Sequence, residues 1–93
     1  MKVQNMTNSN GNKAANQFII DGEHYGQIGR FFQSYNSVIA FIPNNGTSIT
    51  LDAGTWNYSV TTSRYRNQFL NETTKETQAK IDSGEYILTN LNG

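Results

Sequence analysis

The chain has no cysteine, one proline and one histidine in 93 residues. Without cysteine there is neither a disulfide framework nor thiolate chemistry. A lone histidine without cysteine argues against a structural zinc site. No apolar run approaches the ~18 residues that span a bilayer. The opening stretch, MKVQNMTNSNGNKAANQF, lacks the apolar core of a secretory signal. No membrane role is therefore expected, and a reducing cytoplasm is the default compartment. An excess of either charge is missing too. Seven basic residues balance seven acidic ones, which makes a poor general phosphate binder.

What is present is modest. Leu, Ile, Val and Phe supply 20 residues, about 22% of the chain, just above the ~20% that marks disorder. Eleven aromatics and zero net charge favour folding. The length fits one domain and not two. Asn, Thr, Ser and Gln supply 36 residues, a polarity without charge that suits a surface built on hydrogen bonds.

Residues 1–15 read as a loose polar arm, with a short edge strand near Lys2–Asn5. Phe18-Ile19-Ile20 reads as a strand ended by an Asp21-Gly22 turn. Glu23 to Gly29 reads as a glycine-punctuated loop. Arg30 to Ile42 is the strongest strand segment, kinked or bulged near Tyr35-Asn36, where its alternation changes face. Pro43-Asn44-Asn45-Gly46 is a turn, and Thr47 to Leu51 returns as the second strand of a hairpin. Ser59 to Ser63 is dense in helix N-cap residues. Tyr65 and Phe69 then fall one helical turn apart. Thr73 and Glu76 fit a capping box, and Gly84 supplies a left-handed stop. Tyr86-Ile87-Leu88 is a last short apolar run. The expected fold is α+β: a small antiparallel sheet of three to five strands followed by two short helices.

The segments NQFII (16–20), FFQSYNSVIA (31–40), WNYSVTTSRYRNQFL (56–70) and SGEYILTNLN (83–92) resemble a family of short bacteriophage proteins carrying an uncharacterised domain. The resemblance runs from about Val3 to Asn92. Its most specific signals are Phe32-Gln33-Ser34-Tyr35 and the spaced string Trp56, Tyr58-Ser59, Thr61-Thr62, Tyr65-Arg66, Phe69-Leu70. The resemblance brings no catalytic residues. It implies a phage context, in which small accessory proteins bind and block a host factor, CRISPR effectors and other defence systems included.

The residues themselves add little catalysis. His24 stands in EHYG beside Asp21 and Glu23, where a metal site or a Ser–His–Asp hydrolase can be drawn. No nucleophile-elbow motif supports the hydrolase, and a surface-loop histidine is the plain reading. Glu72 and Glu76 are explained by helix N-terminal charge. No cofactor is implied, and the expectation is a non-enzyme. Arg64, Arg66, Lys75 and Lys80 with Tyr65 and Phe69, joined by Arg30, suggest a basic aromatic surface for nucleic acid. The plainer alternative places Tyr65 and Phe69 in the core. Two arginines two residues apart diverge by ~200° on a helix, so one packs inward and one faces out.

Trp56 and Tyr58 read either as core residues or as part of a protein-contact patch, since Trp, Tyr and Arg dominate interface hot spots. With Gln33, Tyr35 and Asn57 they also suit a pocket for a small polar ligand. The candidate binding residues are thus Gln33, Tyr35, Trp56, Tyr58, Arg64 and Arg66. The leading expectation is a phage accessory protein acting in the cytoplasm of the infected bacterial host. It would bind and inhibit a host protein there, such as a defence nuclease or CRISPR effector. The runner-up is a nucleic-acid or small-nucleotide binder. A homodimer is reasonable for a thin core with a free sheet edge.

Overall fold

The computed structural model describes residues 2–93. Five strands come first: β1 (Val3–Thr7), β2 (Lys13–His24), β3 (Gln27–Ser34), β4 (Ser37–Pro43) and β5 (Thr50–Asp52). Two helices follow, α1 (Val60–Leu70) and α2 (Thr74–Asp82), and then β6 (Ile87–Thr89). All six strands lie in one sheet in sequence order. β1 to β5 form an antiparallel meander, whereas β6 runs parallel to β5. The architecture is α+β as expected, but the sheet is mixed and has six strands. The parallel pair exists because the two helices carry the chain back along the sheet, as a parallel connection requires.

The missed strands share a cause. Each hides behind a turn without its usual signature. The segment 30–42 is two strands, separated at Tyr35, which takes a left-handed φ of 55°. The face change near Tyr35-Asn36 marks that reversal. Asp21-Gly22 is not a turn, and 23–29 is not a loop. β2 runs through to His24, and the chain reverses at Tyr25-Gly26, with φ of 48° and 80°. Two successive positive φ values suit the twist of a tight hairpin. Gly22 and Gly29 sit opposite one another inside the ladder. A Cβ on Gly29 would stand 2.2 Å from the Ile42 carbonyl oxygen, so this glycine permits close strand approach.

Of the arm expected at 1–15, Met1 lies outside the described residues, and the rest is not loose. β1 pairs with β2, Val3 opposite Ile20 and Asn5 opposite Phe18. Met6 and Ala14 both enter the core. The connection is closed by the Asn8 side-chain oxygen, which accepts from the backbone N–H groups of Asn10 (2.9 Å) and Asn12 (3.1 Å). The Pro43–Gly46 turn does join two antiparallel strands, but the second begins only at Thr50. Asn92 continues the edge beyond β5. Its side-chain amide accepts from the Val38 N–H and donates to the Val38 carbonyl.

The core lies between one sheet face and α1. Phe32, Ala40 and Leu51 stand side by side on β3, β4 and β5, a large–small–large row. Phe69 covers it, its ring 5.7 Å from that of Phe32. Tyr65, Tyr86, Met6 and Ile39 complete the cluster. Burying one such large apolar side chain contributes about 1.5–3 kcal/mol. Both helix starts follow the sequence. Ser59 caps α1, and Thr73 with Glu76 forms the capping box of α2. α1 begins at Val60, a turn earlier than its Tyr65–Phe69 pair alone requires.

Candidate functional site

α1 presents Thr62, Tyr65, Arg66 and Phe69 inward. Thr62 shares a 2.9 Å hydroxyl–hydroxyl hydrogen bond with Ser34 of β3, which fixes the helix to the sheet. Arg66 is the largest fully buried side chain. Its guanidinium lies 5.1 Å over the Trp56 ring. Nη1 donates to the Trp56 carbonyl and to the Asn57 side-chain oxygen, the latter at 3.3 Å. Nη2 donates to the Asn67 oxygen at 2.8 Å and to the Thr74 hydroxyl at 2.7 Å. One cation therefore joins the segment before α1, α1 itself and the first residue of α2. All these partners are neutral, and Nε has no partner among the described residues. Burial pulls the Arg66 pKa down, and the field of Glu72 only partly opposes it.

Beside this hub is an open cleft of about 610 Å³. Asn57, Ser63, Asn67 and Thr74 bond Arg66 and also line the cleft. Tyr58, Ser59, Val60 and Arg64 form the rest of the lining. Arg64 is the one ionised side chain among them. Tyr58 is 51% exposed.

The six candidate residues separate accordingly. Tyr58 and Arg64 meet at the cleft. Arg66 and half-buried Trp56 lie behind it as support. The two arginines diverge as helical pitch requires: Arg66 packs in and Arg64 faces out. Gln33 lies at the end of β3 and Tyr35 in the β3–β4 turn, where the Gln33 amide donates to the Tyr35 carbonyl at 2.9 Å. Neither lines the cleft. Ser63, Asn67 and Thr74 were not singled out from sequence. Ser63 and Asn67 flank Arg66 on the helix and were findable as its partners, whereas Thr74 arrives from α2 by packing alone.

The basic aromatic surface does not assemble. Tyr65 and Phe69 are core residues, and Arg66 is buried. Arg30 lies 5.7 Å over the Phe69 ring. Lys80 pairs with Glu72 at 2.8 Å. His24 is not a loop residue but the last of β2, with its ring 5.3 Å from that of Phe41. Strand alternation turns Asp21 and Glu23 to the other face of the sheet. Among the described residues no three His, Asp or Glu side chains gather as a metal site. None of the described helices is long and apolar enough to cross a membrane.

Glu72 is a second polar centre. It accepts from Lys80, from the Tyr86 hydroxyl at 2.7 Å and from the Thr77 hydroxyl at 2.5 Å. Burial alone would push its carboxyl up, but the bonds from Lys80, Thr77 and Tyr86 outweigh it and hold the pKa below 4.5. A carboxyl that ionises more readily folded than unfolded adds stability above the unfolded pKa. That stability is lost as pH falls through the folded value. Burial, and then the bond to Glu72, push the Tyr86 phenol up to about 12. Its contribution is fully present below 10 and is lost as pH rises through the folded value of about 12. We expect the thermal midpoint to fall as pH drops below 4.5, and Glu72→Gln to flatten that dependence in part. Asp52 and Glu76 supply the remainder: burial raises the Asp52 pKa, but the Thr55 and Leu91 bonds outweigh it, and the capping-box bond from the Thr73 N–H lowers that of Glu76.

A family model matches residues 1–85, that of a family of unknown function, DUF8033. The chain belongs to the DUF8033 family. That match takes in the whole meander, both helices and every residue lining the cleft. No curated protein and no solved structure matches the chain.

Proposed function

We propose that this member of DUF8033 is a non-catalytic bacteriophage accessory protein. It binds and inhibits a host protein, such as a defence nuclease or CRISPR effector, in the cytoplasm of the infected bacterium. The phage setting rests on the sequence resemblance. The binding role rests on one observation, the exposure of Tyr58 and Arg64 on a support immobilised by buried Arg66. Tyrosine and arginine are enriched among interface hot spots. Holding them rigid before contact reduces the ordering cost of association.

The test is affinity capture from a bacterial lysate with the wild type and with Tyr58→Ala and Arg64→Ala. A host protein recovered near stoichiometry by the wild type, and held about 30-fold more weakly by each variant, supports the reading. Equal recovery by correctly folded variants removes the cleft from the interface. A small anionic ligand such as a nucleotide is the second reading. It is favoured by the cleft lining, where the one ionised side chain is cationic among amides and hydroxyls. A native mass above that of the bare chain would support it.

A further inference from the structure

Two arginines stand at one cleft wall, Arg64 on it and Arg66 behind it. Neither has a carboxylate of its own. The one ion pair among the described residues joins Lys80 to Glu72. Arg66 is fully buried, and its Nε has no partner among the described residues. Its Nη atoms donate only to neutral oxygens. Four of the side chains they reach, Asn57, Ser63, Asn67 and Thr74, line the cleft. Glu72, the acid whose field reaches Arg66, is already bonded by Lys80, Thr77 and Tyr86. A buried cation without a counterion is costly, and proteins ordinarily pair it. Here the chain leaves the charge unanswered, directly behind the wall of an open cleft.

Arg64 adds a second charge on the outer side. It also borders a second hollow of about 400 Å³, formed with Asn8, Tyr65 and Gln68. No other ionised side chain lines either hollow. The start of α1 adds a third contribution. Ser59 and Val60 line the cleft. Ser59 accepts from the Thr62 N–H with its hydroxyl and from the Ser63 N–H with its carbonyl. The N–H groups of Val60 and Thr61 have no carbonyl within the helix to bond. A helix N-terminus carries roughly half a positive charge, which an acid in the first turn offsets. α2 has Glu76 in that place, whereas α1 has no acid there. Free N–H donors, an exposed guanidinium and the field of a buried one thus meet at one opening, an arrangement that favours an oxyanion.

We infer that the cleft takes a carboxylate from an acidic segment of the protein partner. Arg64 holds it bidentately, and the start of α1 supplies the second set of donors. Arg66 acts from behind, through its field, without touching it. This rests on the binding role proposed above and adds the chemistry of the group that enters. The number of cations favours a carboxylate over a nucleic-acid backbone. A phosphodiester chain is held by a row of cations, and this cleft exposes one. Tyr58 and Val60, 51% and 79% exposed, flank it. They suit the apolar residues that accompany a carboxylate in a protein segment.

An NMR titration of the isotope-labelled full chain tests this without the host partner. The probe is an acetylated hexaglutamate peptide, and hexalysine is the control. Saturable shifts are expected at the Val60 and Thr61 amides and the Arg64 side chain with hexaglutamate, and none with hexalysine. Arg64→Gln, at an exposed position, is expected to keep the fold and to weaken hexaglutamate at least ~10-fold. Unmoved resonances at residues 57–64, or equal affinity in Arg64→Gln, overturn the inference. So does inorganic phosphate that saturates these resonances while hexaglutamate leaves them in place, which moves the site to a small phosphate ligand. The two readings fail separately. Capture that is lost with Tyr58→Ala but survives Arg64→Gln keeps the protein partner and overturns the carboxylate.

Discussion

Arg66→Met is expected to lower the unfolding free energy by about 3 kcal/mol, the cost of leaving several buried acceptors without a donor. Methionine retains the stem and its packing on Trp56. It supplies nothing to the Trp56 carbonyl or to the Asn57, Asn67 and Thr74 side chains. Some of those groups also line the cleft and regain water, and the guanidinium no longer pays its desolvation. The loss is therefore smaller than a sum over the bonds. For a domain of this length it corresponds to about 15 °C in thermal midpoint. Arg66→Lys recovers little, because a point cation cannot fork between partners on two helices. An unfolding free energy from urea within about 1 kcal/mol of the wild type, for Arg66→Met, would show that the guanidinium is not what joins these segments.

Gly29→Ala is expected to cost a comparable amount, about 3 kcal/mol, at the upper end of overpacking. The added Cβ meets the Ile42 carbonyl oxygen at 2.2 Å and the Pro43 Cα at 2.8 Å, both backbone atoms. Relief requires β3 and β4 to separate, not merely a side chain to rotate. Gly22→Ala provides the control. There the contact is the edge of the Phe31 ring at 3.0 Å, which can swing away. Chemical denaturation should rank the two variants well apart. Equal losses would mean that the close approach of β3 and β4 does not set the cost.

These two positions also explain what the sequence could disclose. Helix starts are local chemistry, so Ser59, Thr73 and Glu76 were legible as caps. Gly84 was legible as a stop, and it does take a left-handed φ of 82°. Strand divisions depended on partners far along the chain. Gly22 and Gly29 look like loop punctuation, yet they face one another inside the sheet. Tyr25 and Tyr35 occupy left-handed turn positions where asparagine or glycine is the usual signal. The N-terminal arm holds few apolar residues, and the order of its β1 segment comes from pairing with β2. In the site, Tyr58 and Arg64 were legible from residue type. Helical pitch showed that one arginine must turn inward, but not which one. Only tertiary packing brings Thr74 to that arginine.

The central claim is that a protein partner covers the surface carried by Tyr58 and Arg64. Amide hydrogen exchange on the captured complex, compared with the free chain, tests it most directly. The account predicts new protection over residues 57–64 and at the start of α2, with the β3–β4 turn unchanged. Protection centred on Gln33 and Tyr35, with residues 57–64 exchanging as in the free chain, would contradict it.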